Sequence, residues 1–128
     1  IYNYILSEEK FNIMMDNMSV YDTATKLASE IKNSKEYLDF VDNMKIIKKN
    51  KNYENLLSEY KKTQYNLQIA TMNNKKLDKK TLKNMEEIQN KIRHNDQIYN
   101  YILSEEKFNI MMDNINKIIA NTIKEDYK

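Results

Sequence analysis

Neither glycine nor proline occurs anywhere in the 128 residues. Turns with positive φ and fixed-φ kinks therefore lose the residues that usually make them. Strand-rich folds lean on such turns more heavily than helical ones. The chain is expected to be all-α, its helices joined by loops of Asn, Asp and Ser.

Apolar spacing agrees with that expectation. From Met18, the residues Val20, Tyr21, Ala24, Leu27, Ala28 and Ile31 recur at steps of three and four, which is the signature of one helix face. Asn33 and Ser34 interrupt the stripe, and Ser34 is placed to cap a second helix whose face is Leu38, Val41, Met44 and Ile47. Residues 48–52, Lys-Lys-Asn-Lys-Asn, include nothing apolar and end or kink that helix, with Asn50 or Asn52 as the next cap. A long stripe of Tyr53, Leu56, Leu57, Tyr60, Leu67 and Ala70 follows, closed by Asn73, Asn74, Lys75 and Lys76. A polar connector from Asp78 to Thr81 leads to a shorter helix on Leu82, Met85, Ile88 and Ile92. His94 ends it, and Asn95 or Asp96 caps the last helix.

That last helix is predicted over 97–122 and would be roughly 40 Å long. Its stripe is Ile98, Tyr101, Ile102, Phe108, Met111, Met112, Ile115, Ile118, Ile119 and Ile123. The pattern predicts an elongated antiparallel helical bundle or hairpin of about four helices. Long stripes left uncovered in an elongated monomer meet a partner, so association into a homodimer or higher oligomer is expected through the long amphipathic helices.

One feature is not explained by periodicity. Residues 1–17, IYNYILSEEKFNIMMDN, recur without a change at 98–114. Structural repeats normally share a pattern rather than every letter. The first copy stops immediately before Met18, so residues 1–17 are read as an addition to the native chain, artificial or from a recent duplication. Residues 18–128 are then the single native domain. The added copy is expected to be helical if ordered, dispensable for the fold, and able to compete for the groove of its twin in a swap-like contact.

Composition removes several chemistries. With no cysteine there is no disulfide, thiolate metal site or cysteine nucleophile. No apolar run approaches the 18 or so residues of a membrane span, and the chain reads as cytoplasmic with no membrane association. The net charge of +2 divides into −2 for residues 1–17, from Lys10 against Glu8, Glu9 and Asp16, and +4 for the remainder. Such a mild, interspersed balance does not by itself imply nucleic acid.

Three stretches, VYDTATKLASEIKNSKEYLDF, NKNYENLLSEYKKTQYNLQ and HNDQIYNYILSEEKFNIMMDNINKIIA, resemble the bacterial YlbF/YmcA family and most closely its small YheA-like branch. The shared features are a Tyr-Asp-x-Ala-x-x-Leu-Ala helix, a Ser-Glu-x-Tyr-like junction that reads Ser34-Lys35-Glu36-Tyr37 here, paired leucines at Leu56 and Leu57, and a junction at Asn95 and Asp96 where the family has an Asn-Pro-like one. The resemblance spans Met18 to about Ile123. It implies an all-α homo-oligomer in the cytoplasm of a Gram-positive type bacterium. Better-studied branches look like regulators of competence, sporulation and biofilm formation, acting as a complex that modulates mRNA processing by RNase Y. Those branches are associated with cysteine-ligated iron–sulfur clusters, a cofactor that does not carry over to a chain without cysteine.

Catalytic equipment is hard to assemble. His94 is the only histidine, and it has no His-x-x-x-His or Glu-x-x-His companion. Glu86 with Glu87, and Glu105 with Glu106, are neighbours about 100° apart on a helix and do not share a site. Glu105 interrupts an apolar stripe and is expected to pair with a Lys or Arg across the bundle. The candidate interface residues are Leu56, Tyr60, Leu67, Tyr101, Phe108, Met111, Met112, Ile115 and Ile119. Candidate RNA contacts are Lys48, Lys49 and Lys51 at one junction and Lys75 and Lys76 at another, near opposite ends of the long middle helix. Tyr60 and Tyr65 beside Lys61 and Lys62 offer stacking to single-stranded RNA. The function expected is a non-catalytic helical interaction or regulatory protein that binds itself and possible protein regulators. The alternatives are a direct RNA-binding module and an enzyme using carboxylates and lysine.

Overall fold

The computed structural model describes residues 7–125. It is all-α: the described residues form six helices and no strand, where the sequence suggested about four helices. These are α1 (Glu8–Asp16), α2 (Met18–Lys32), α3 (Lys35–Lys48), α4 (Lys51–Met72), α5 (Lys79–Arg93) and α6 (Asp96–Glu125).

Polar residues set the boundaries as the absence of glycine and proline requires. The Ser34 side chain accepts from the Tyr37 N–H at 3.2 Å and caps α3. Asn50 accepts from Asn52 and Tyr53 and caps α4. Asn95 accepts from the Ile98 N–H at 3.1 Å at the start of α6. Asp78 caps α5 through the Thr81 N–H at 2.7 Å. The Thr81 side chain and N–H hold the Asp78 carboxyl below the usual carboxylate range. The end of α4 is a Schellman turn: Lys75 N–H bonds the Ala70 carbonyl and Asn74 N–H bonds the Thr71 carbonyl. Asn74 occupies the left-handed position at φ 54°, where glycine usually stands.

The core is drawn from four helices, α3 to α6. Ile47, Leu57, Ile88, Ile92, Ile98 and Tyr101 form it, flanked by Phe40, Met44, Tyr53, Leu56, Tyr60 and Ile102. Ile98 is 0% exposed. α3 runs antiparallel to the first half of α6, with Phe40 stacked on Phe108 at 5.3 Å and Tyr37 tilted against Phe108 at 5.6 Å. α4 and α5 form a hairpin whose far end is held by Ala70 and Met85. Leu38 and Leu82, expected to face inward, are half exposed. In α3 the inward phase is Tyr37, Phe40, Met44 and Ile47, because the Phe40 and Phe108 rings match each other and rotate Leu38 outward.

α1 and α2 lie outside this core. α2 has no buried residue, and α1 packs chiefly on α2. α6 is about 45 Å long, well beyond the ~30 Å of a small domain. Accessible surface totals 11037 Å²; a compact monomer of 15.5 kDa would expose about 7200 Å².

Where both copies are described, residues 8–16 and their twins 105–113 are helical but meet different surroundings. Phe108 is packed between Tyr37 and Phe40, whereas its twin Phe11 is 47% exposed. Ser104 donates to the Tyr101 carbonyl in mid-helix, whereas Ser7 accepts from Lys10 N–H and starts α1. Asn17 breaks the helix before α2, while Asn114 lies inside α6. α1 does not occupy the groove against α3 that its twin fills.

Candidate functional site

The polar centre of the molecule joins α4 to α6. Tyr101 is 6% exposed, and its hydroxyl donates to the Glu105 carboxylate at 2.6 Å. Lys61 Nζ donates to the same oxygen at 2.9 Å and sits 5.6 Å from the centre of the Tyr101 ring. Burial, then the hydrogen bond and negative charge of Glu105, hold the Tyr101 phenol well above its usual range. The expectation that Glu105 pairs across the bundle is thus met, with Lys61 as partner. The Tyr101 hydroxyl and the Lys61 ammonium converge on one Glu105 oxygen, Oε2, so the trio reads as a tie between helices.

The other acidic pairs do not converge. Glu86, Glu87 and Glu106 are exposed. His94 is exposed at the end of α5, its Nδ1 2.7 Å from the Asn90 carbonyl. Among the described residues no group of three or more His, Asp or Glu could hold a metal ion, and the cysteine-free sequence provides no thiolate for an iron–sulfur cluster. Among them, no helix is long and apolar enough to cross a membrane.

The candidate interface residues separate into two sets. Tyr101 belongs to the core, with Leu56 and Tyr60 on its flank. Phe108 is engaged with α3, and Leu67 is half-buried along α4. Met111, Met112, Ile115 and Ile119 lie on α6 beyond Phe108, where the stripe runs past the end of α3. Ile118 (68% exposed) and Ile123 continue it. Across the Ser34 turn, α2 shows Val20 (62% exposed) and Tyr21. Val20, Tyr21, Ile118 and Ile123 had a periodicity signal, but nothing in it distinguished an uncovered stripe from a core one.

A concavity of ≈ 670 Å³ lies between the distal half of α4 and α6, lined by residues including Tyr60, Tyr65, Leu67, Met72 and Ile102 with Lys61 and Glu105 at its edge. The lysines expected to meet RNA are all exposed. Lys48, Lys49 and Lys51 stand at the α3–α4 junction, and Lys75 and Lys76 follow the other end of α4, about 33 Å away by helix rise.

Comparison with known proteins places this architecture. Residues 20–124 match the family model described as control of competence regulator ComK, YlbF/YmcA. A UPF0342 protein of Pediococcus pentosaceus is 30% identical over 111 residues, spanning 87% of this chain and 97% of its own. One of Staphylococcus epidermidis is 26% identical over 110 residues, 86% of this chain and 96% of its own. A solved protein of unknown function (DUF964) from Bacillus stearothermophilus superimposes with a TM-score of 0.65 at 11% identity, covering 86% of this chain and 96% of that one. At that identity the likeness concerns the fold alone.

Proposed function

The chain belongs to the YlbF/YmcA family, and from that premise we propose that it is a cytoplasmic, non-catalytic interaction protein that associates first with a second copy and then with a regulatory or RNA-processing partner. The family's description as a control of competence regulator supports the regulatory part of this reading.

The observation that carries it is the pair of uncovered helical arms. α2 leaves the body at Ser34, and the distal half of α6 leaves it at Phe108; the Tyr37–Phe108 contact puts the two departures side by side. By helix rise the arms extend about 22 and 25 Å. Val20, Tyr21, Ile118, Ile119 and Ile123 alone expose apolar area of order 600 Å² per chain, near the roughly 800 Å² per partner of a stable interface. A second copy brings two further arms with the same stripes, which completes a four-helix arrangement. Met111, Met112, Ile115 and Ile119 are the α6 residues of that interface, with Val20 and Tyr21 opposite them.

Light scattering after size exclusion tests the proposal. The expected mass is at least twice 15.5 kDa. Ile118→Asp with Ile119→Asp, both on an exposed face, is expected to return the chain to monomer mass while leaving helical circular dichroism unchanged. A monomer of the unsubstituted chain at tens of micromolar overturns the reading.

A further inference from the structure

The fold brings together two basic segments that lie some forty residues apart in sequence. Ile47 in the last turn of α3, Leu57 in α4, Ile92 in the last turn of α5 and Ile98 in the first turn of α6 share one core cluster, so these helix termini meet at one end of the body. Lys48, Lys49, Lys51, Lys91 and Arg93 decorate that end, and all are exposed. The carboxylates in the adjoining first turns are Glu54 and Asp96, and among the described residues only Lys51 of the five cations has one within reach, Glu54 at 3.8 Å. The whole chain nets only +2, so this excess is local.

Helix dipoles account for part of the cluster and not the rest. Lys48, Lys91 and Arg93 occupy the last turns of α3 and α5, where cations are favoured. Lys51 is the first residue of α4, where the dipole favours an anion, and Lys49 immediately precedes its cap. Asn50 already takes the Asn52 and Tyr53 N–H groups there, so these two cations add positive charge that neither the dipole nor the cap calls for.

One of the five cations, Arg93, also lines a slot. Tyr60, Gln89, Ile92, Arg93, Tyr99 and Ile102 line a concavity of ≈ 220 Å³, with Tyr99 45% exposed at its rim. An aromatic face, an Arg plane and an amide beside a basic strip are the parts that hold a stacked base and its backbone. An acidic peptide would use the cations but leave the slot unfilled.

We propose that this end of the bundle is a binding site for a single-stranded polynucleotide, its phosphates on Lys48, Lys49, Lys51, Lys91 and Arg93 and one base stacked at Tyr99. The site does not depend on self-association, since all its residues come from one chain. It excludes Lys75 and Lys76, which lie at the far end of α4.

Fluorescence anisotropy with a labelled oligouridine RNA, its DNA counterpart and polyglutamate tests the assignment on the full chain. About four phosphate contacts predict an affinity loss near 50-fold between about 50 and 200 mM salt. Lys48→Gln with Lys49→Gln and Arg93→Gln should weaken binding at least tenfold, Tyr99→Ala at least fivefold, and Lys75→Gln with Lys76→Gln not at all. Equal RNA and DNA affinities assign the site to backbone charge and stacking, and tighter RNA binding assigns a 2′-hydroxyl contact as well. Absent binding at low salt overturns the proposal. So do equal losses in the Lys75 and Lys76 control, or polyglutamate binding as tight as the oligonucleotide.

Discussion

Replacing Glu105 by Leu separates two opposite accounts of a charged residue on an apolar stripe. If Glu105 were an unpaired polar insertion, Leu would extend the stripe and stabilise the protein. In the structure Leu would remove the acceptor of the Tyr101 hydroxyl at 2.6 Å and the partner of Lys61 at 2.9 Å. The Lys61 side chain is 50% exposed, so its pairing contributes about 0.5–1 kcal/mol after screening by solvent. Tyr101 is buried, and orphaning its hydroxyl costs about 1–3 kcal/mol. Against these, Leu recovers part of its burial energy, because Glu105 is only 27% exposed. A net loss of about 1–2 kcal/mol follows, or roughly 4–8 °C in Tm for a domain of this size. Denaturant melts at one fixed protein concentration would read it. A double-mutant cycle of Tyr101→Phe with Glu105→Leu should show coupling of about 1 kcal/mol or more.

The same contact has a pH signature. The Tyr101 phenol titrates higher folded than unfolded, so the folded state retains a proton that the unfolded state releases. Its contribution is fully present below pH ~10 and declines as the pH rises beyond that. The advantage of the parent over Tyr101→Phe should therefore shrink above pH ~10. A stabilised Glu105→Leu variant, or a cycle with no coupling, refutes the account.

Other perturbations test the boundaries. Ser34→Ala should cost about 1 kcal/mol by removing the α3 cap, and Ser34→Asp should restore most of it in urea melts. Asn74→Gly should raise the thermal midpoint slightly, whereas Asn74→Val should lower it by about 1 kcal/mol or more, since a β-branched residue resists φ 54°. The contribution of Asp78 should be present above pH ~4 and fade as the pH falls through its lowered folded value; Asp78→Asn should flatten that acid limb. Deleting residues 1–17 should leave the thermal midpoint of the remaining chain unchanged, because α1 packs chiefly on α2, a helix outside the core.

Most of the fold was legible because its signals are local. Ser34, Asn50 and Asn95 act within three residues of themselves, so a sequence shows them directly. Asp78 went unnoticed because the lysines around it made the stretch look like a uniform polar connector. The rotation of α3 that exposes Leu38 was not legible, since it depends on the ring of Phe108, 68 residues beyond the Phe40 it stacks on. The Lys61–Glu105 tie was legible only as a demand for some cation. Arg93 and Lys91 come to the same end of the body as the α3–α4 lysines because Ile47, Ile92 and Ile98 share one core cluster, for which spacing has no sign. The uncovered arms look like core stripes in the sequence because periodicity measures amphipathicity and says nothing of the element opposite.

The twin segments at 8–16 and 105–113 act as an internal control on what tertiary contact adds to identical letters. Both are helical, yet nine residues are too few for a stable isolated helix in water. Only the second is clamped by aromatic rings from α3. Amide hydrogens of the first copy should exchange through local fraying, and those of the second only when the bundle itself opens. The ratio of the two protection factors, residue by residue in one spectrum, measures what the longer α6 and its aromatic clamp together add to the same nine letters.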